Sequence, residues 1–479
     1  MAVIHVVLCG GMGKRLWPIS RAHYPKPFVL LPNKTTLFSE TLKRNHLHCD
    51  KLMIVTNETH YSLAKGVLVQ SDTTYKKDSL FILEPLSKNT ANAIALAALS
   101  ADKDDVLWVS PADHWISNQA VYEQELAEIL SLANPSNLIT IGINPTSPDT
   151  QYGYIQYDEE VLLSDKISCY KVKKFHEKPT LVRAKYYLEE KNYLFNSGMF
   201  CFTAGAYLNQ LEQYQKKLFE QLTQLHQNKQ ITQDIHSYNK TEMAKLQSIS
   251  IDYAVLEKSK EIQVVKSKMK WNDLGQFEQL DVLSDKDEHL NSKGAHILTH
   301  DARNNTIYSD NRNIAVLGVD NLVIVDSPDA ILVSKKGESS KIQDFVNKQQ
   351  TQNPTLFENP WLEHRPWGSF RVIKNEANTK VKELIVLPNK RLSLQSHKHR
   401  AEHWIVTKGQ ATVQLDDEFI ELNEGQSIDI LKEQRHRLEN KTQSEIKLIE
   451  VQFGTYLGED DIIRYEDDFE RDGIHHAYK

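Results

Sequence analysis

The stretch VIHVVLCGGMGKRLWPISRAHYPKPF, residues 3–28, decides how the first half of the chain is read. Residues 3–8 are apolar and mostly β-branched, and they run straight into glycines. That pattern predicts a buried strand that opens into a phosphate-type loop. Gly10, Gly11 and Gly13 remove Cβ atoms where backbone N–H groups must come close to an anion. Arg15 adds a fixed fork of donors for phosphate oxygens. The loop is neither Walker A nor GxGxxG, and taken alone a tight strand-to-helix turn with a surface arginine accounts for it equally. Lys26 sits between Pro25 and Pro27. Each proline fixes its own φ and restricts the residue before it, so one ammonium gains a stiff mount. A proline-rich surface turn is the plainer alternative.

Outward from this stretch, apolar strand-like runs recur at 52–56, 80–83, 106–110 and 138–143, with helix-like stretches at 90–101 and 120–132 between them. Alternation at this spacing predicts an α/β domain with a doubly wound, mostly parallel sheet, over residues 1–285. Residues 286–346 change character. Short strands at 314–319, 322–326 and 330–334 alternate with Asn, Asp, Gly and Pro turns, which suits a small β domain or a few coils of a β-solenoid of the left-handed β-helix type. The polar, proline-bearing stretch 347–360 suggests a linker. Residues 361–479 again alternate strands with turns and predict a β-barrel or jelly-roll.

The chain has 479 residues, too many for one core. Its formal charge of −7, with no basic block, argues against nucleic acid as a partner. Four cysteines without a CxxC pair suggest reduced thiols. No run approaches the ~18 apolar residues of a membrane span, and the apolar start lacks a basic flank or cleavage site. The expectation is a cytoplasmic protein with no membrane partner.

GGxGxRLWPxSR followed by PK resembles the signature of the mannose-1-phosphate guanylyltransferases (GDP-mannose pyrophosphorylases). The resemblance continues at 84-EPLSKNTANAIA-95, 110-SPADHWI-116, 152-YGYI-155, 175-FHEKP-179, 196-NSGMF-200, 251-IDYAVLEK-258 and 271-WNDLG-275. The last part of the chain resembles the type II mannose-6-phosphate isomerase domain fused to many of these enzymes. That family usually reads PKQF. Pro27 here gives PKP, the form of the wider sugar-nucleotidyltransferase superfamily, so the lysine's role is kept and an amide is exchanged for a rigid residue.

The resemblance implies a nucleotide-diphospho-sugar transferase fold, a C-terminal cupin barrel and a homo-oligomer, a dimer. It implies GTP and mannose 1-phosphate as substrates, Mg²⁺ as cofactor, and mannose 6-phosphate as a further substrate. Asp113 follows the strand VLWVS, at the carboxyl end where α/β sites form. Asp113 and Asp273 are the expected Mg²⁺ ligands, with Arg15 and Lys26 on phosphate oxygens. By resemblance, Glu177 and Asn196 meet the sugar, Lys178 its phosphate, and Gly153 lets backbone approach. Asn89, Thr90 and Ser110 lie by the substrates.

In 395-QSHKHRAEHWIVTKG-409, Gln395 and His397 share one face of a strand. Glu402 and Gly409 follow, then Gly425, His436 and Asn440. These spacings resemble the two cupin motifs, with Gln395 in place of the first histidine. Asn389 replaces an expected glycine, Leu431 a proline and Glu433 a glycine. Gln395, His397, Glu402 and His436 suit Zn²⁺ or another divalent metal, while His399 and His403 fall outside the set. Arg464 and Arg471 are candidates for the phosphate of a hexose 6-phosphate. Two other readings stay open: a transferase with a purely structural cupin domain, and a sugar-nucleotide sensor without turnover.

Overall fold

The apolar run that opens the chain forms strand β1 (Val3–Cys9) in the computed structural model, which describes residues 1–11, 14–31, 35–71, 73–164, 167–309, 312–358, 361–365 and 367–466. Strands β2 (Lys51–Asn57), β3 (Ser79–Glu84) and β4 (Val106–Pro111) join it. β3, β2, β1 and β4 lie side by side and all run parallel. Val6, Val55 and Ile82 pack on one face of the sheet and Val7, Ile54 and Phe81 on the other. Burial on both faces is why these strands read as continuous apolar runs. Helix α1 (Thr90–Leu99) is buried from Ala91 to Ala98, which explains why it is apolar apart from Thr90 and Asn92. Helix α2 (Gln119–Leu132) covers the opposite face through Tyr122, Leu126 and Ile129.

Further on come β5 (Leu138–Ile143), the hairpin pair β6 (Tyr154–Ser164) and β7 (Ile167–His176), β8 (Tyr193–Thr203) and β9 (Ile262–Ser267). β8 inserts antiparallel between β4 and β5, so the four strands beside the glycine loop are parallel and the sheet beyond β4 is mixed. Leu8 pairs with Pro111 across β1 and β4. Two residues further along each chain, Gly10 and Asp113 emerge at the same carboxyl edge, which is what assembles the site.

The solenoid follows. Ile297 pairs in parallel with Ile314 and Thr306 with Val323, the same seventeen-residue step. Asparagines stack at its turns: Asn305 Nδ2 donates to Asn291 Oδ1 at 2.9 Å, and Asn304 Nδ2 to Asn321 Oδ1 at 2.7 Å. Of the stretch 347–360, expected as a linker, the described residues 347–358 instead complete helix α3 (Ile342–Gln349) and form a short helix α4 (Pro354–Glu358). Phe357 packs 5.2 Å from Trp17 in a core shared with Leu16, Val323, Val325 and Val346. One buried aromatic anchors a segment whose composition is otherwise linker-like. Met1–Glu358 therefore forms one compact unit and Asn359–Lys479 a second.

The second unit carries β10 (Thr379–Val386), β11 (Leu394–His397), β12 (Arg400–Lys408), β13 (His436–Asn440), β14 (Ile446–Gly454) and β15 (Ile462–Glu466). β10, β14 and β12 adjoin in one antiparallel sheet, and β13, β11 and β15 in another. Trp404, Val406, Val413, Leu438 and Leu448 fill a common core. Gly409 and Gly425 both have φ of 84°, and Asn389 (56°) and Glu433 (63°) take the same left-handed conformation without a glycine. The Glu433 N–H donates to the His397 carbonyl at 2.7 Å, which ties its turn to the ligand strand. Among the described residues no helix is long and apolar enough to cross a membrane.

Candidate functional site

The carboxyl edge of β1 and β4 opens into a cleft of about 340 Å³ whose wall includes Gly10, Arg15, Lys26, Asp113, His114 and Asp273. Pro25 is extended (φ −72°, ψ 163°) and Pro27 and Phe28 are buried, so the PKPF turn is clamped from both sides. That clamp aims the Lys26 ammonium at Asp113 Oδ2, 2.8 Å away, and lets it donate to the Asp273 carbonyl. Burial alone would raise the Asp113 carboxyl. The Lys26 ammonium, with His114, outweighs it and holds the group below its ordinary value. Tyr152 donates to Asp273 Oδ1 at 2.7 Å. A Cβ on Gly275 would lie 2.9 Å from Asp273 Oδ2, so the glycine of WNDLG leaves room for that carboxylate. Lys26 thus ties the Asp113 carboxylate to the Asp273 backbone, and the two carboxylates lining one cleft give the all-oxygen donors that Mg²⁺ takes beside substrate phosphates.

Two cleft residues were missed by sequence reading. Burial lowers His114 to about 4, and its Nδ1 accepts from Trp271 Nε1 at 3.1 Å, so the ring stays neutral. Gln343 of α3 accepts from Arg15 Nε at 3.3 Å, more than 300 residues away in sequence. The DHW order within 110-SPADHWI-116 could have flagged His114, whereas nothing in a polar helix could have flagged Gln343. Gly11 adopts φ of 111°, as expected of an anion loop. Gly13 lies outside the described residues.

Beside the cleft a second cluster gathers. A Cβ on Gly153 would meet Glu177 Oε2 at 2.7 Å. The Gly153 carbonyl accepts from the Asn196 N–H at 2.8 Å, and Asn196 Nδ2 donates to Asp252 Oδ1 at 3.1 Å. Lys178, at φ 43°, keeps its ammonium 3.4 Å from Glu177. Burial, then the neighbouring Glu177 charge, push Asp252 up to about 6. Gly153, Glu177, Lys178 and Asn196 thus come together, and Asp252 joins them unforeseen. Tyr152, next to Gly153, links this cluster to Asp273.

Three expected residues are engaged elsewhere. Ser110 is buried with its Oγ 2.8 Å from His5 Nε2. Asn89 (φ 72°) caps α1 through the Thr90 N–H, and Thr90 Oγ1 accepts from the Ile251 N–H at 3.0 Å. All three serve local structure here.

In the second unit, ligand atoms of His397, Glu402 and His436 lie within 4.8 Å of one another, all buried. His436 Nδ1 donates to the Gln434 carbonyl at 3.0 Å, which fixes the tautomer and leaves Nε2 as an acceptor. Burial lowers that ring to about 4. His436 Nε2 and both His397 ring nitrogens are buried without hydrogen-bond partners. Orphaned imidazole nitrogens facing a carboxylate are the donor set of a divalent site. Burial would raise Glu402, but His397, His436 and Arg400 together hold it well below the usual carboxylate range. Gln395 pairs across the sheet with His436, and its Oε1 accepts from Ser393 Oγ at 3.1 Å. His399 and His403 instead pair with Asp461 and Asp429. A cavity of about 310 Å³ opens beside Glu402, with Gln395, Lys382, Arg400, Glu450 and Arg464 in its wall. Burial and the Glu402 charge push the Glu450 carboxyl up, and the Lys382 and Arg400 cations oppose them. Arg471 lies outside the described residues.

The nucleotidyl transferase family profile matches residues 4–289. The chain belongs to the nucleotidyl transferase family. A mannose-6-phosphate isomerase/GMP-like β-helix domain matches residues 294–348 of this transferase, and the mannose-6-phosphate isomerase C-terminal family matches 355–467. Its relatives include mannose-1-phosphate guanylyltransferase 2 of Escherichia coli O157:H7, 37% identical over 98% of this chain and 99% of that one. The alginate biosynthesis protein AlgA of Pseudomonas aeruginosa is 35% identical over 98% and 97%. Among solved structures, the mannose-1-phosphate geranyltransferase of Thermus thermophilus matches with a TM-score of 0.64 at 29% identity, covering 73% of this chain and all of that one. The mannose-6-phosphate isomerase of Helicobacter pylori matches at 0.50 and 33%, covering 57% and 100%.

Proposed function

We propose that the chain transfers GMP from GTP to mannose 1-phosphate, giving GDP-mannose and pyrophosphate, and interconverts mannose 6-phosphate and fructose 6-phosphate. One observation carries the first activity: Lys26, Asp113 and Asp273 meet in a single cleft at the carboxyl edge of the sheet. Gly10, Gly11 and Arg15 hold the GTP phosphates, and the Glu177–Asn196 cluster holds the sugar. The mannose 1-phosphate oxygen attacks the α-phosphorus in line and pyrophosphate leaves. The protein mainly positions two anions that would otherwise repel. Lys26 moves from Asp113 to the phosphates as charge builds there. Mg²⁺ at Asp113 and Asp273 supplies charge neutralisation.

The orphaned nitrogens of His397 and His436 beside Glu402 carry the second activity. Zn²⁺ or another divalent metal, held there with Gln395, supplies polarisation of the sugar's O1 and O2. Arg464, in the wall of the same cavity, meets the 6-phosphate in this reading. The setting is cytoplasmic, where both sugar phosphates occur.

The test uses the full chain. Asp113→Asn and Asp273→Asn should each lower GDP-mannose turnover by several kcal/mol of barrier, with isomerisation unchanged. Near-wild-type transfer by either variant would remove that carboxylate from the site.

A further inference from the structure

An aldose–ketose interconversion needs a base that reaches C1 and C2, and the sequence motifs do not name one. The cavity of the C-terminal unit contains three carboxylates: Glu402, Glu450 and Glu459. Glu402 faces the two histidine rings and accepts from Arg400 Nε and Trp404 Nε1 at 3.1 Å each and from Gln452 Nε2 at 3.0 Å. Glu459 accepts from the Lys382 ammonium at 2.6 Å. Glu450 is the carboxylate left.

Its position follows from the sheet. On β14 it pairs with Lys382 of β10 and Trp404 of β12. Gln452, two residues on, faces the same side. The Gln452 amide nitrogen donates to Glu450 Oε1 at 2.6 Å and to Glu402 Oε1 at 3.0 Å. The two carboxylates are therefore less than about 6 Å apart, bridged by one nitrogen. Glu402 and Glu450 line the same cavity, so a sugar seated there against Glu402 lies within reach of Glu450. Lys382 stands 3.8 Å from Glu450, beyond hydrogen-bond range. Among the described residues, Gln452 is the only hydrogen-bond donor that holds it.

We propose that Glu450 is the base that carries a proton between C2 and C1 of the hexose 6-phosphate. This assignment rests on the isomerase reading of the C-terminal unit. Starting from the aldose, the C2–H bond breaks and its proton goes to the Glu450 carboxylate. The electron pair left behind forms the C1–C2 double bond, and the C1 carbonyl pair moves onto O1, which takes the proton released from the O2 hydroxyl. Glu450 then returns its proton to C1, and C2=O2 closes as the ketone. Every atom and electron pair is accounted for within the sugar and one carboxylate.

Glu450→Gln keeps the shape and the oxygen that accepts from Gln452, and Lys382 keeps Glu459 as its partner. The variant should lose at least about 100-fold in isomerase turnover, with the KM for mannose 6-phosphate little changed. Metal content and calorimetric binding of mannose 6-phosphate should match wild type. Deuterium incorporation from D₂O at C1 and C2 should fall in parallel with turnover. Glu450→Asp, which retains a carboxylate, should recover part of it. Turnover of Glu450→Gln within tenfold of wild type would overturn the assignment. Loss of metal or of sugar-phosphate binding in that variant would also overturn it, by showing a structural role. A wild type that is metallated, binds mannose 6-phosphate and does not isomerise it would instead remove the isomerase reading, and this base with it.

Discussion

Gly153→Ala isolates the sugar cluster from the phosphate cleft. The glycine φ lies outside the left-handed range, so alanine fits the backbone there. What it does not fit is the side-chain packing. The new Cβ would stand 2.7 Å from Glu177 Oε2 and 3.5 Å from Asn196 Cβ, where ordinary contact begins near 3.4 Å. Asn196 is unaffected, and Glu177 must retreat by about 0.7 Å. A displacement near 1 Å at a positioning residue costs up to about 100-fold, so kcat/KM for mannose 1-phosphate should fall about 10- to 100-fold. The KM for GTP should hold, because the glycine loop and Lys26 are untouched. Stability should change by less than about 1 kcal/mol, since losing glycine freedom in the unfolded chain offsets the local strain. The assay is initial-rate GDP-mannose formation, with each substrate varied in turn, alongside thermal unfolding. An unchanged KM for mannose 1-phosphate, or equal rises for both substrates, would refute the placement of Glu177 on the sugar.

Two further outcomes follow from other residues. Lys26→Ala should cut guanylyl transfer far more than Pro27→Gln, because the first removes a charge from the phosphate site and the second alters only its mount; nucleotide-preference assays giving the reverse order would contradict this. Burial raises Glu84 from 4.5 to about 8, and its Oε1 has no partner. The unfolded chain loses this proton near 4.5 and the folded chain holds it until about 8, so its contribution to stability is full below pH 4.5 and is lost as pH rises to about 8. Glu84→Gln should therefore flatten the fall in Tm between pH 5 and 8 and stabilise the protein at pH 8, and an unchanged Tm–pH profile would contradict the shift.

The parallel half of the sheet was legible because strands buried on both faces announce themselves as apolar runs that end in turn residues. The Gly10, Lys26, Asp113 and Asp273 cleft was legible from spacing joined to family resemblance. Gln395 and His397 could be placed on one strand face from alternation, and Glu402 and His436 were added by resemblance to the cupin motifs; His397, Glu402 and His436 do gather. Asn389 and Glu433 show that a left-handed turn survives loss of its glycine, which composition alone does not reveal. Gln343 was not legible, since it reaches the cleft through tertiary packing from a polar helix, and His114 and Asp252 sat inside quoted motifs without being singled out because their contacts come from packing. Residues 347–360 misled for the opposite reason: Leu356 and Phe357 are too few to stand out, yet Phe357 is held in a core with Trp17.

The most direct measurement of the account is a pair of assays on one preparation of full-length protein with its metal content determined. Mannose 6-phosphate alone should yield fructose 6-phosphate in a chelator-sensitive reaction, and GTP with mannose 1-phosphate should yield GDP-mannose with Mg²⁺. His436→Ala should abolish the first and leave the second within about twofold. A folded, fully metallated wild type that performs only the second reaction, or a His436→Ala variant that retains both, would contradict the two-site reading.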